Sequence, residues 1–175
     1  MMELTKRIFD LVTSTIACIL IAPLMLALML LIKLDSPGNV IFSQTRVGKA
    51  GRLFDILKLR TMVQNAESIG GYSTIEKDNR ITRIGGFLRK TSLDELPQLI
   101  NVVRGEMSLV GPRPDVPAQE SNYEVAEWQA RCSVKPGITG LAQATLRSSA
   151  NALERKQLDL EYVNTRSVTL DTQII

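Results

Sequence analysis

"LVTSTIACILIAPLMLALMLLI", residues 11–32, carries no charged side chain, and how it runs decides the fold. At about 22 residues it is long enough to cross a bilayer as a straight helix. A cleaved signal is a poor fit, because the run stays rich in Leu and Met up to Lys33 without a small-residue cleavage site. Three readings remain: a spanning helix, a buried core helix, or a helix that enters and returns. Pro23 lies at the middle, where it removes a backbone donor and crowds the preceding turn. Lys6 and Arg7 precede the run, while Lys33, Arg46, Lys49, Arg52, Lys58 and Arg60 follow it. Basic residues concentrate on cytoplasmic flanks, and here both flanks are basic. A straight span would strand one of them. The expectation is a re-entrant helix broken at Pro23, over residues 1–35, continuous with a cytoplasmic domain over 36–175.

Working outward, the chain of 175 residues is long enough for one domain with its own core. A formal charge of +3 and a pI near 9.0 favour an anionic partner such as phosphate or a lipid surface. Aromatic residues make up 5%, which speaks against the stacking platforms of single-stranded nucleic-acid binding. There is no histidine, so the usual general base and the commonest transition-metal ligand are both excluded. Catalysis has to run on carboxylates, Lys, Arg, Ser, Thr, Tyr or Cys. Cys18 and Cys132 lie far apart and read as free, buried thiols.

The remainder predicts a helix-rich α+β fold with a small β element. "NVIFSQTRVGKAGRLFDILKLRT", 39–61, reads as two extended runs around Gly48 and Gly51, a hairpin. The polar stretch 63–80, with Gly70-Gly71, reads as a loop. A short helix is expected after Gly86, and another over 96–104 ended by Gly105. "AQESNYEVAEWQAR" suits a helix with Val125 and Trp128 inward. "KPGITGLAQ" reads as a Pro/Gly turn, and "ANALERKQLDLEYVNT" as the last amphipathic helix.

"TSLDELPQLINVVRGEMSLVGPRP", 91–114, places adjacent carboxylates Asp94 and Glu95 before an apolar run closed by Pro112-Arg113-Pro114. Ser92 followed three residues later by Glu95 matches a capping box, and Pro97 suits a first helical turn. A structural cap is the bland reading. Against it stand Arg80, Arg83, Arg89 and Lys90 upstream, and an arginine between two prolines downstream. Proline fixes φ, so Arg113 points its planar, phosphate-matched fork into few directions. A helix N-terminus whose dipole keeps Asp94 ionised, fixed arginines and two carboxylates able to hold Mg²⁺ compose a plausible phosphoryl-transfer site.

On these residues the chain resembles the bacterial sugar transferase family, the small monotopic phosphoglycosyl transferases. The resemblance starts at "KRIFD", 6–10, and runs through "FSQTRVGKAGRLFDILKLRTM", the Asp-Glu and Pro-Arg-Pro segment, and "VKPGITGLAQ". It implies transfer of a sugar 1-phosphate from a UDP-sugar to polyprenyl (undecaprenyl) phosphate with release of UMP, the first membrane step of a glycoconjugate such as an exopolysaccharide. It implies Asp94 as the nucleophile that forms a covalent phosphosugar intermediate, and Glu95 as its partner. Both carboxylates would share Mg²⁺, with Mn²⁺ as a substitute. Arg113, framed by Pro112 and Pro114, would hold the nucleotide phosphates, and Arg89 a phosphate. Lys58, Arg60 and Arg147 fall on matched motifs as further phosphate contacts. The resemblance also implies the re-entrant helix, placement at the cytoplasmic face of the bacterial inner membrane, and lipid but no nucleic acid as partner; a homodimer is left open.

The chain departs from the family pattern at three places. Ala22 precedes Pro23 where members commonly have serine, and "ATLR" follows "GLAQ" where they often read Val-Asn-Gly-Arg. It ends at "LDTQII" where members usually continue, the expectation being a shortened or minimal member. The rival reading is a non-catalytic membrane-surface subunit that binds lipid phosphate or a partner transferase. The intact Asp94, Glu95 and Arg113 argue against it.

Overall fold

The computed structural model describes residues 2–66, 69, 78–146 and 151–175. Helix α1 occupies Met2–Asp35 and continues through Pro23. The break expected at Pro23 is therefore not seen. One missing backbone donor in a helix of this length is a tolerable loss when both ends are held by tertiary contacts.

Both ends are held. Near the start, Lys6 Nζ donates to the Val110 carbonyl at 3.2 Å and pairs with Asp171. Arg7 donates to the carbonyls of Val102 and Val103 at 2.6 and 2.8 Å. Asp10 accepts from Ser108 Oγ at 2.8 Å and from the Leu109 amide at 3.2 Å. At the other end Leu28 and Ile32 enter a core with Leu59 and Leu88, and Asp35 accepts from the Ile84 amide at 3.0 Å. Between these anchors Ile16, Ile19, Leu20 and Leu24 are exposed. Among the described residues α1 is the helix long and apolar enough to cross a membrane.

The expected hairpin is present. Strands β1 (Ile41–Val47) and β2 (Leu53–Leu59) pair antiparallel in the register Ile41↔Leu59, and the turn between them contains Ala50 and Gly51 at positive φ. Helix α2 spans Arg83–Thr91, starting before the glycines rather than after Gly86. Thr82 caps it by accepting from the Gly85 amide at 3.0 Å. Gly85 lies so close to β2 that a Cβ there would sit 2.0 Å from the Thr61 carbonyl oxygen. Gly85 serves close approach, not punctuation.

Ser92 then adopts a left-handed conformation (φ 56°), and Leu93–Glu95 form a 3-10 turn. Helix α3 covers Gln98–Arg104 and ends at Gly105, as expected, though it begins two residues late. Strand β3 (Ser108–Val110) pairs in parallel with β4 (Gly137–Thr139), so the "KPGITG" segment is a strand where a turn was expected. A Cβ on Gly137 would lie 2.1 Å from the Gly111 nitrogen, so the two backbones meet only because neither carries a side chain there.

Residues Pro117–Asn122 form a 3-10 turn, and helix α4 is confined to Val125–Arg131. Trp128 is buried against Val47 and Cys132, but Val125 is 74% exposed and faces out, contrary to expectation. Helix α5 (Leu141–Leu146) and α6 (Ala152–Thr165) follow, and α6 is not the last, because Ser167 caps a further helix α7 over Val168–Ile174. Both cysteines are free; Cys132 is buried and Cys18 half-buried. The expected Gly70-Gly71 loop lies outside the described residues.

Candidate active site

The hairpin, α2, the Leu93–Glu95 turn and the Pro-Arg-Pro turn converge on an open cleft of about 1060 Å³. Strand β1 contributes Arg46; the end of β2 contributes Lys58, and the chain just past it Arg60 and Thr61. Helix α2 supplies Arg89, the 3-10 turn Asp94 and Glu95, and the Pro-rich turn Arg113. Residues separated by 67 positions in sequence thus share one wall-to-wall site.

The capping box does not form. Ser92 makes no side-chain cap, and its left-handed backbone turns the chain so that Asp94 and Glu95 enter the cleft. Glu95 Oε1 accepts from Lys58 Nζ at 2.8 Å and is also paired with Arg113. Asp94 is 9% exposed and makes no ion pair among the described residues.

Their protonation equilibria diverge accordingly. Burial pushes the Asp94 carboxyl above the ordinary aspartate range, with Lys58 pulling against it and the Glu95 charge adding to it. Asp94 lies in the Leu93–Glu95 turn, ahead of α3, which begins at Gln98, and burial leads its shift. Burial acts on Glu95 too, but Arg113 and Lys58 outweigh it and hold that carboxyl low. Burial also lowers the Lys58 ammonium, against the pull of Glu95.

Arg89 donates from Nε to Thr61 Oγ1 at 2.8 Å, on the Asp94 side of the cleft. Arg60 borders the cleft, but its guanidinium donates to the carbonyls of Ser36 and Pro37 at 2.8 and 2.6 Å. It secures the chain leaving α1. Pro112 and Pro114 do not line the cleft and act by framing Arg113. Arg147 lies outside the described residues.

Arg46 was overlooked as a site residue, although it stands inside the quoted "FSQTRVG". It lines the cleft, donates to the Pro114 carbonyl at 3.0 Å, and is lowered first by burial and then by repulsion from Arg113. Behind the turn, Asp115, Arg131 and Asp159 are joined by ion pairs; nothing in their sequence spacing signals that.

Five cations, Arg46, Lys58, Arg60, Arg89 and Arg113, face or border a cleft with two carboxylates. Such a surplus suits a substrate carrying several phosphate charges. Asp94 and Glu95 could hold Mg²⁺, which takes one or two carboxylates and completes its shell with water and substrate phosphates. No cluster of three acidic or thiol side chains placed to hold a metal ion occurs among the described residues.

Fold and site together define an α+β protein built on a long apolar helix, with a cation-rich cleft that holds two adjacent carboxylates. The bacterial sugar transferase model matches residues 1–175, and the chain belongs to that family. A UDP-glucose:undecaprenyl-phosphate glucose-1-phosphate transferase of Caulobacter vibrioides is 44% identical over 180 residues, covering 99% of this chain and 67% of that protein. A UDP-N-acetylgalactosamine-undecaprenyl-phosphate N-acetylgalactosaminephosphotransferase of Aeromonas hydrophila is 42% identical over 175 residues, covering 97% of this chain but 41% of that protein. The exopolysaccharide production protein PSS of Rhizobium leguminosarum bv. phaseoli is 44% identical over 181 residues, covering 97% of this chain and 90% of that protein. Against some relatives, then, the chain spans less than half their length.

Proposed function

We propose that this protein transfers a sugar 1-phosphate from a UDP-sugar to polyprenyl phosphate and releases UMP. The observation that carries the reading is the division of labour between adjacent carboxylates: Glu95 is neutralised by Lys58 and Arg113, while Asp94 is buried in the same cleft without an ion pair among the described residues. Relatives named for this reaction, with both glucose and N-acetylgalactosamine donors, support it.

In the first step an Asp94 oxygen attacks the β-phosphorus of the donor. The bond from that phosphorus to the bridging oxygen breaks, and UMP leaves with the electron pair. In the second step an oxygen of the lipid phosphate attacks the same phosphorus, and the Asp94–phosphorus bond breaks to restore the carboxylate. The mixed anhydride on Asp94 retains much of the diphosphate's transfer potential, and neither nucleophile needs a proton removed. That chemistry accounts for a site without histidine. Arg113 and Arg46, which line the cleft, would hold the donor phosphates, with Arg89 on the Asp94 side. Asp94 and Glu95 would hold Mg²⁺, whose charge would ease departure of UMP.

The anchoring of α1 at both ends supports a helix whose two ends stay at one face of the cytoplasmic membrane. A perpendicular crossing of a ~30 Å hydrocarbon core would pull one anchored end, Lys6–Asp10 or Lys33–Asp35, away from the single body that binds both. The exposed Ile16, Ile19 and Leu20 between the anchors would be the immersed part.

The test is UMP release from a panel of UDP-sugars with polyprenyl phosphate and Mg²⁺. Release with one or more donors, dependent on the lipid phosphate over many turnovers, is the expected result. Lipid-phosphate binding without UMP release from any donor would leave the non-catalytic subunit instead.

A further inference from the structure

The Pro112–Asp115 segment is clamped carbonyl by carbonyl. The Pro112 carbonyl accepts from the Gly137 amide at 2.9 Å, and the Arg113 carbonyl accepts from Arg131 Nη2. The Pro114 carbonyl accepts from Arg46 at 3.0 Å, and the Asp115 carbonyl from the Val47 amide at 3.0 Å. Four successive carbonyls are therefore held by β4, α4 and β1. The flanking prolines fix φ at 112 and 114, and Pro114 narrows the backbone of Arg113 without setting its peptide plane. The hydrogen bond from Arg131 sets it.

Arg131 is itself immobilised. It lies 3.1 Å from Asp115 Oδ2 and 3.3 Å from Asp159 Oδ2, with the three side chains no more than 3% exposed. Its guanidinium sits 5.5 Å from the centre of the Tyr123 ring, whose hydroxyl donates to Asp115 Oδ2 at 2.7 Å. Arg155 completes the set at 3.5 Å from Asp115 Oδ1. A buried ion triad is weakly stabilising compared with apolar packing of the same volume, so stability does not account for it. Its place directly behind the cleft arginine does.

We propose that Arg131, locked between Asp115 and Asp159, is a positioning residue that aims Arg113 at the donor diphosphate. The proposal rests on the reading of Arg113 as a donor-phosphate contact. Arg131→Lys keeps one charge between the aspartates but loses the fork that reaches both them and the Arg113 carbonyl.

The experiment is a double-mutant cycle on the full chain in nanodiscs: wild type, Arg131→Lys, Arg113→Met and the double variant. Each is assayed for UMP release and for binding of UDP with Mg²⁺. Arg131→Lys is expected to lower kcat/KM for the donor roughly 10- to 100-fold, the scale of a misaimed contact. In the Arg113→Met background the same change is expected to cost less than about twofold, because its target is gone. UDP affinity should show the same non-additivity. Equal losses in both backgrounds, or no loss in either, would overturn the proposal. Should Arg131→Lys lack a cooperative melting transition, Asp159→Asn takes its place in the cycle. Non-additive UDP binding across the cycle with no UMP release from the wild type sinks the catalytic reading and leaves the positioning role standing. A wild type that neither binds UDP nor releases UMP overturns both.

Discussion

Lys58 Nζ lies 2.8 Å from Glu95 Oε1, and this pair makes two neighbouring carboxylates chemically unequal. Glu95 is held ionised by Lys58 and Arg113, while Asp94 remains buried beside it with no salt bridge among the described residues. Adjacent like charges normally oppose each other's ionisation. The Glu95 charge still raises Asp94, while the cations paired with Glu95 leave Asp94 as the cleft carboxylate without an ion pair among the described residues.

Asp94→Asn should abolish turnover, by about 10³-fold or more, because it keeps the shape and removes the attacking anion. Intact-mass analysis of wild type with UDP-sugar and no lipid acceptor should show one added phosphosugar, absent from the variant. Near wild-type turnover by Asp94→Asn would defeat the mechanism. Glu95→Gln should slow turnover yet still permit some adduct.

Chelation provides a separate check. Activity should vanish in EDTA and return with Mg²⁺ or Mn²⁺, since the site offers oxygen ligands and no histidine. Full turnover in chelator would remove the metal from the scheme.

The anchoring of α1 at both ends predicts that tags on the two termini stay on the same side of the membrane. Protease protection in inverted and right-side-out vesicles reads this directly, and an externally labelled N-terminus would contradict it. Asp10→Ala should destabilise the protein by about 2 kcal/mol or more, since Ser108 Oγ and the Leu109 amide lose a buried acceptor.

Gly137→Ala should cost about 3 kcal/mol or more, seen as a fall in the midpoint of denaturant unfolding. Its Cβ would meet the Gly111 backbone nitrogen at 2.1 Å, where no flexible side chain can move aside. The strain falls directly behind Pro112, so donor KM should rise in whatever fraction folds. A stability equal to wild type would show that β3 and β4 can separate without loss.

The hairpin and the cleft residues Asp94, Glu95, Arg89, Lys58 and Arg113 were all legible, because each stands in a dense local motif. Arg60 was legible as a basic residue but not as the donor to the Ser36 and Pro37 carbonyls, a contact across 23 and 24 positions. The capping box was misleading for a local reason. The pattern was complete, but Ser92 took a left-handed backbone that denies its side chain the cap.

The apolar character of α1, the hairpin after it, and the grouping of two carboxylates with basic residues are all readable in the order of the side chains. Those properties depend on side chains a few positions apart, so periodicity and composition express them. Only the tertiary structure decided that both ends of α1 lie on one body, that Glu95 is neutralised while Asp94 is not, and that Arg131 stands behind Arg113. These are long-range pairings between charged and polar groups. Their partners are chosen by burial, where an unpaired group is costly, and burial belongs to the assembled fold.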